Sequence, residues 1–242
     1  MNLVIDAGNT LIKVAVFDKK QLIFQEIIDE KGLPLRLKEI CDVYSKVKWG
    51  MVASVRNLDP KTLAVLSVFC NVMQLTQNTS TPYKNSYATA STLGVDRIAL
   101  ATAAFYHNPR GNTLVLDAGT CLTYDMVNDY GEYLGGAISP GLNMRYRALH
   151  EQTAKLPLLE KSDVLDFIGN STETSIHSGV FNGMCAEIDG VIDQYKLRFR
   201  DLTVILTGGD ADFLSKRLKN PIFANPNFLL EGLNYLLEYN KH

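Results

Sequence analysis

Leu3-Val4-Ile5-Asp6-Ala7-Gly8-Asn9-Thr10 opens the chain, and Leu114-Val115-Leu116-Asp117-Ala118-Gly119-Thr120-Cys121 repeats its plan 111 residues later. At that offset eight of the sixteen positions from Leu3 to Asp18 are identical: Leu3, Val4, Asp6, Ala7, Gly8, Leu11, Val16 and Asp18. Each copy is an apolar, β-branched run, an acid at its end, a glycine turn and a second apolar run. Such a repeat predicts two related halves. Two turns of this kind facing each other would clamp a phosphate, with a carboxylate on either side.

The chemistry of the turn supports that reading. Glycine permits positive φ and lets phosphate oxygens approach the backbone amides. Asn9 and Thr10 add side-chain donors, and Lys13 adds a positive charge in the next strand. An acid such as Asp6 beside phosphate makes sense if Mg²⁺ or its waters sit between them. The same residues also suit an Asx-type hairpin with no ligand, and it is the second copy that favours the ligand. In that copy Thr120 and Thr123 offer hydroxyls, Asp117 is placed to hold a cation, and Tyr124 stands in the place of the lysine, where it is expected to pack.

Outward from the first copy, strands are predicted over 3–7, 11–17 and 21–28. A helix follows over 33–44, from the spacing of Leu33, Leu37, Ile40, Cys41 and Tyr44. Then come a buried strand over 50–55, a helix over 60–69 with proline at its start, and a strand over 72–75. Residues 76–90 form a polar surface loop long enough to be functional. An alanine-rich buried helix spans 93–106. His107-Asn108-Pro109-Arg110-Gly111-Asn112 marks the boundary between a half at 1–108 and a half at 109–242. The plan then repeats, with strands over 113–118, 122–127 and 130–137, helices over 142–149 and 176–199, a strand over 202–206 and a helix over 227–239. Gly179, Gly183 and Gly190 lower the propensity of the long helix, so close packing against another element is expected there. Strands interleaved with helices give an α/β fold with three-layer packing.

The totals exclude several classes. The net charge is −2, with acids and bases interspersed, so no basic stripe suits nucleic acid and no polybasic run suits a membrane surface. The longest apolar stretches are interrupted by polar residues, so none spans a bilayer, and the N-terminus reads as a strand rather than a signal peptide. Cys41, Cys70, Cys121 and Cys185 form no CxxC pair and read as reduced thiols of a cytoplasmic protein. The histidines (His107, His150, His177, His242) have no zinc spacing. GxxxxGK[ST], GxGxxG and GxSxG are all missing.

Three further motifs carry candidate chemistry. In Gly94-Val95-Asp96-Arg97, Asp96 is a candidate general base for a hydroxyl nucleophile and Arg97 a candidate carboxylate clamp. Asp96 also fits the plainer role of a first-turn helix acid. Leu134-Gly135-Gly136-Ala137-Ile138-Ser139-Pro140-Gly141 and Leu206-Thr207-Gly208-Gly209 are glycine turns that suit either nucleotide approach or tight packing.

Duplicated Asp-x-Gly hairpins with a third Gly-Gly loop resemble the acetate and sugar kinase, Hsp70 and actin superfamily. Within it, the ordered set Asp6 to Thr10, Gly94 to Arg97, Asp117 to Thr120, Gly131-Glu132-Tyr133-Leu134-Gly135-Gly136-Ala137-Ile138-Ser139-Pro140-Gly141 and Thr153-Ala154-Lys155-Leu156-Pro157 resembles type III pantothenate kinases over nearly the whole chain. The resemblance implies a duplicated actin-like, ribonuclease H-like fold of two mixed-sheet halves with an ATP cleft between them. It implies ATP-dependent phosphorylation of pantothenate to 4′-phosphopantothenate, the entry step of coenzyme A biosynthesis.

Position by position, it implies ATP contacts from Asp6, Ala7, Gly8, Asn9, Thr10, Leu11, Ile12, Lys13 and Thr120. Mg²⁺ lies near Asp6, and K⁺ or NH₄⁺ at Asp117. Asp96 is the proton acceptor, in a pantothenate pocket of Gly94, Val95, Asp96, Arg97 and Tyr87. The same resemblance implies a homodimer in which Thr172 reaches that pocket from the partner subunit. Tyr87-Ala88-Thr89-Ala90 lacks the proline usual between the tyrosine and Gly-x-Asp-Arg, and Cys121 replaces an alanine. The alternative reading is a non-catalytic, nucleotide-binding regulatory protein of the same fold, like the Bvg accessory factor.

Overall fold

The computed structural model describes residues 1–56, 58–162 and 166–241; His242 lies outside them. The chain forms two compact units, one of residues 1–110, 130–134 and 227–242, the other of 111–129 and 135–226.

In the first unit β1 (Asn2–Ala7) is central, with Leu3, Val4, Ile5 and Ala7 fully buried. It pairs antiparallel with β2 (Ile12–Asp18), which pairs antiparallel with β3 (Gln21–Ile28). On its other side β4 (Trp49–Ser54) is parallel to it, and β5 (Asn71–Gln74) is parallel to β4, giving the order β3-β2-β1-β4-β5. The two-residue period of a strand sorts the side chains of β1 between its faces. Leu3, Ile5 and Ala7 join the core made with Leu33, Leu37 and Ile40 of α1 (Leu33–Val43) and Leu66 of α2 (Pro60–Phe69). The alternate residues Asn2, Val4 and Asp6 point to the opposite face.

That face carries α3 (Val95–His107) and the C-terminal helix. Pro60 starts α2 behind the Asp59 cap, whose carboxylate accepts from Lys61 N at 2.9 Å. The strand β6 (Lys84–Asn85) interrupts the 76–90 loop.

In the second unit β7 (Thr113–Ala118) takes the place of β1. It pairs antiparallel with β8 (Cys121–Val127) and parallel with β10 (Thr203–Thr207). β9 (Glu132–Pro140) and β11 (Phe223–Ala224) extend this pairing to β11-β10-β7-β8-β9, five strands of a six-stranded sheet whose last strand is the short β6. This matches β5-β4-β1-β2-β3 strand for strand, so the sequence repeat is a repeat of sheet topology. The start of β9 belongs to the first unit, where Glu132 and Tyr133 pair with Lys84 and Asn85.

Around the second sheet lie α4 (Leu142–Glu151), α5 (Thr172–Arg198) and the short α6 (Ala211–Ser215). The last helix, α7 (Phe228–Asn240), packs on α3, β1 and β4 of the first unit. A Cβ at Gly232 would collide with the Ala99 backbone, so glycine sets how closely α7 approaches α3. Asn234 pins the helix, accepting from Asn2 Nδ2 at 2.6 Å and donating to Lys19 O at 2.8 Å.

The expectation for the glycines of α5 is overturned. The helix buries a stripe of Ile176, Val180, Met184, Ile188 and Ile192. Gly179, Gly183 and Gly190 lie on the exposed side, and a Cβ at each meets nothing within 4 Å among the described residues. Close packing within the chain is therefore not the reason for them. No described helix is long and apolar enough to cross a membrane.

Candidate active site

The first hairpin ends β1 at Asp6 and Ala7 and re-enters the sheet at Ile12 and Lys13. Four residues, 8–11, make its turn, closed by Gly8 N donating to Leu11 O at 3.1 Å. Asn9, Thr10 and Leu11 are exposed, while Ala7 and Ile12 anchor the turn in the core. Gly8 does not use positive φ, contrary to the sequence expectation, and neither does Gly119. What the missing side chain provides at Gly8 is room, since a Cβ there would sit 3.3 Å from Leu11 O.

Asp6 and Lys13 are directly paired across β1 and β2, so their side chains share one face. Burial pushes the Asp6 carboxyl up to about 6; Lys13 pulls the other way and Asp96 adds to the rise. Asp96 is the second residue of α3, whose N-terminus carries no side-chain cap. Its Oδ1 accepts from Arg97 N at 2.8 Å. A Cβ at Gly94 would collide with that oxygen, so glycine is what lets the carboxylate fold back over the helix start.

The loop before α3 is fastened at several points. Gln77 Nε2 donates to Leu93 O at 3.1 Å, and the buried Tyr83 hydroxyl donates to Ile98 O at 3.3 Å. Where the expected proline is missing, Ala90–Thr92 forms a 3₁₀ turn, and Thr92 Oγ1 donates to Thr89 O at 3.0 Å. Tyr87 and Arg97 are brought together, with the guanidinium carbon 5.6 Å from the ring centroid. Arg97 is only 5% exposed. A cavity of about 390 Å³ opens between the end of β4 and the start of α3, lined by Ser54, Val55, Arg56, Gln77 and residues 92–95. Ser54 pairs with Ala7, and Val55 N donates to Ala7 O at 3.2 Å, so this cavity adjoins the first hairpin.

The second hairpin differs by one residue. Ala118 pairs with Leu122 and Asp117 with Thr123, leaving a three-residue turn, 119–121. The residue facing Asp117 is therefore Thr123, and Tyr124 does not stand in the place of Lys13. Tyr124 packs as expected: it is 1% exposed, and its hydroxyl donates to Glu187 Oε1 at 3.3 Å. Thr123 Oγ1 donates in turn to Asp125 Oδ2 at 3.0 Å.

Two other glycine turns pack on this hairpin. A Cβ at Gly141 would collide with the carbonyls of Gly119 and Thr120, and one at Gly208 with Ala118 O. Gly208 has φ +97°, a conformation that costs a side-chain-bearing residue most. Asp210 N donates to Ala118 O at 2.9 Å, and Lys161 Nζ lies 2.7 Å from Asp210 Oδ1. Gly209 has nothing within 4 Å of a built Cβ among the described residues. Gly136, by contrast, is tight strand packing against Tyr124 O.

Thr120 is exposed on the second turn. Thr172 is exposed at the first turn of α5, behind the Ser171 and Thr174 capping box. Sequence reasoning missed Ser54, Arg56 and Gln77, whose place depends on β4 lying beside β1, a pairing that no local signal announces. Among the described residues no three His, Cys, Asp or Glu side chains converge as a metal cluster.

The profile of the type III pantothenate kinase family matches residues 2–194. The chain is 47% identical to the type III pantothenate kinase of Christiangramia forsetii over 241 residues, covering 100% of this chain and 99% of the relative. Among solved structures, a conserved protein named for the Baf family of transcriptional activators, from Campylobacter jejuni, superposes with a TM-score of 0.63 at 20% identity, covering 99% and 98% of the two chains. A glucokinase from an Antarctic psychrotroph superposes at 0.54 with 12% identity, covering 98% of each chain. These two likenesses establish the duplicated actin-like fold.

Proposed function

The chain belongs to the type III pantothenate kinase family, and from that premise we infer that it phosphorylates pantothenate with ATP, giving 4′-phosphopantothenate in the first step of coenzyme A biosynthesis. The observation that carries this reading at the atomic level is the juxtaposition of Asp6, Lys13 and Asp96 beside the exposed Asn9-Thr10-Leu11 turn and the adjoining cavity.

The reaction is in-line phosphoryl transfer, which asks for positioning and charge neutralisation more than for covalent help. The primary hydroxyl oxygen of pantothenate attacks the γ-phosphorus, the bond from that phosphorus to the β-bridging oxygen breaks, and ADP leaves. Asp96 accepts the hydroxyl proton. Residues 6–13 hold the phosphates through backbone amides, the Asn9 and Thr10 side chains and the Lys13 ammonium, and Thr120 is a second ATP contact. A half-buried carboxylate raised to about 6, with Asp96 near enough to add to the rise, fits a divalent cation nearby, so Asp6 is assigned to Mg²⁺, directly or through water. Mg²⁺ supplies charge neutralisation on the phosphates. Asp117, facing a threonine rather than a lysine, is assigned to K⁺ or NH₄⁺.

Tyr87, Gly94, Val95 and Arg97 shape the pantothenate pocket, and Thr172 is assigned to the partner's pocket in a homodimer. The exposed α5 residues Gly179, Gly183, Ala186 and Gly190 recur at four-, three- and four-residue spacing. Such a small-residue seam suits a second helix at close approach, which supports the dimer. A cytoplasmic location goes with this reading.

Steady-state assay of Asp96→Asn is the test. The variant should keep its affinity for ATP and pantothenate and lose at least ~10²-fold in kcat, the usual contribution of a general base; near-normal turnover removes Asp96 from the role. In the same assay, exchanging K⁺ for Na⁺ should lower the rate, and indifference to the exchange removes the cation from Asp117. The non-catalytic alternative predicts no pantothenate-dependent ATP turnover under any of these conditions.

A further inference from the structure

We propose that Arg56 is the specificity determinant of the acceptor pocket, its guanidinium holding the carboxylate of the acid substrate; the inference deepens the pantothenate reading and rests on it. The cavity at the end of β4 has a volume of about 390 Å³, within the roughly 300–1,000 Å³ range of small-molecule sites. Its lining joins apolar Val55, Leu93 and Val95 to the polar groups of Ser54, Gln77 and Thr92, and contains no carboxylate. Arg56 is the cation of that lining.

Arg56 is also poorly satisfied for a group with five donors. Among the described residues its Nε is buried with no hydrogen-bond partner. Its Nη1 lies 3.6 Å from Glu30 Oε2, a loose ion pair. A buried donor left unmade costs free energy that an incoming anionic oxygen recovers. Arg97, the other arginine near the pocket, is 5% exposed and committed over the Tyr87 ring.

The rest of the lining matches the remainder of a hydroxy-amide acid. Gln77 has its Nε2 committed to Leu93 O and keeps its carbonyl oxygen to offer an amide N–H. Phosphate, the competing anion, is assigned by the proposed function to the first hairpin turn and Lys13.

The experiment is steady-state kinetics of Arg56→Gln, Arg56→Lys and Glu30→Gln with pantothenate, with pantothenol as the neutral competitor in which a hydroxymethyl group replaces the carboxylate. Arg56→Gln should raise the KM for pantothenate about tenfold or more, as expected for a lost charge-assisted bond, while holding kcat and the KM for ATP within about threefold. Its preference for pantothenate over pantothenol should shrink by the same factor, and Arg56→Lys should restore part of it. Glu30→Gln removes the competing carboxylate and should leave the KM for pantothenate unchanged or lower.

Equal losses for pantothenate and pantothenol overturn the proposal in favour of a structural role. A rise confined to the KM for ATP overturns it in favour of a phosphate contact. Wild-type turnover of pantothenate is measured first, so a failure of the underlying reading shows before any variant is compared.

Discussion

Asp6 is where the fold gives up stability to place a charge. Its carboxyl titrates near 6 in the folded chain against an ordinary 3.8, raised first by burial and then by Asp96, with Lys13 only partly offsetting them. Below about pH 4 the group is protonated in both folded and unfolded chains and favours neither. Between 3.8 and 6 the unfolded chain releases its proton while the folded chain retains it, so stability falls as pH rises, and above 6 the penalty is complete. A shift of this size corresponds to at most about 3 kcal/mol. In metal-free buffer Asp6→Asn should therefore melt higher than the wild type above pH 6, with the gain vanishing towards pH 4, and it should lose kinase activity across the whole range. Thermal melts of both proteins from pH 4 to 8 check this, and a difference in melting temperature that does not change with pH contradicts the assignment. Mg²⁺ should reverse the order of the two melts, because only the carboxylate binds it.

At the scale of elements, the second hairpin is held by backbone approach rather than by side chains. Gly208→Ala puts a Cβ into Ala118 O at a left-handed backbone position, and should cost about 2 kcal/mol or more from strain and collision together. Gly209→Ala meets open space and should change stability by less than about 0.5 kcal/mol. If this turn approaches the nucleotide, the second variant still raises the KM for ATP. Chemical denaturation and ATP titration of both variants separate packing from binding, and a silent Gly209→Ala in both assays leaves the turn a purely structural part.

The same hairpin marks the limit of what the sequence reveals. The main strands and the acid-glycine turns were legible because they rest on local patterns, and α2 and β7 span the expected residues, 60–69 and 113–118, whereas α5 begins at Thr172, four residues before its expected start. Register was not legible. Identical leucines at Leu11 and Leu122 suggest that Tyr124 answers Lys13, yet the second turn is one residue shorter and Thr123 takes the place. A one-residue change in a turn sends the next side chain to the other face, and composition carries no trace of it. The cavity beside Arg56 was hidden for a related reason, since it exists only once β4 pairs with β1 across more than forty intervening residues.

For the whole molecule the decisive question is whether one chain carries a complete site. The dimer reading assigns Asp96 to a pocket in its own chain and Thr172 to the pocket of the partner. Isologous two-fold pairing then makes each site depend on both chains. Asp96→Asn alone should be nearly inactive because the proton acceptor is gone. Thr172→Val alone should be weak because every pocket lacks the partner's hydroxyl. If the two variants are mixed in equal amounts and allowed to exchange subunits, half of the dimers become mixed, and in each of these one site combines an intact Asp96 with an intact Thr172. Activity should then recover to about a quarter of the wild-type value, a result that symmetric pairing alone dictates. If Thr172 served its own chain instead, each chain of the mixture would still carry one defect in its own site, and mixing would restore nothing. Subunit exchange is monitored by mass, so failure to mix is distinguished from failure to complement. The small-residue face of α5 gives a parallel check. Gly183→Leu adds a large side chain at an exposed position where a Cβ meets nothing within 4 Å among the described residues, so it should leave the fold of each chain intact while driving the assembly to monomers and abolishing the complementation.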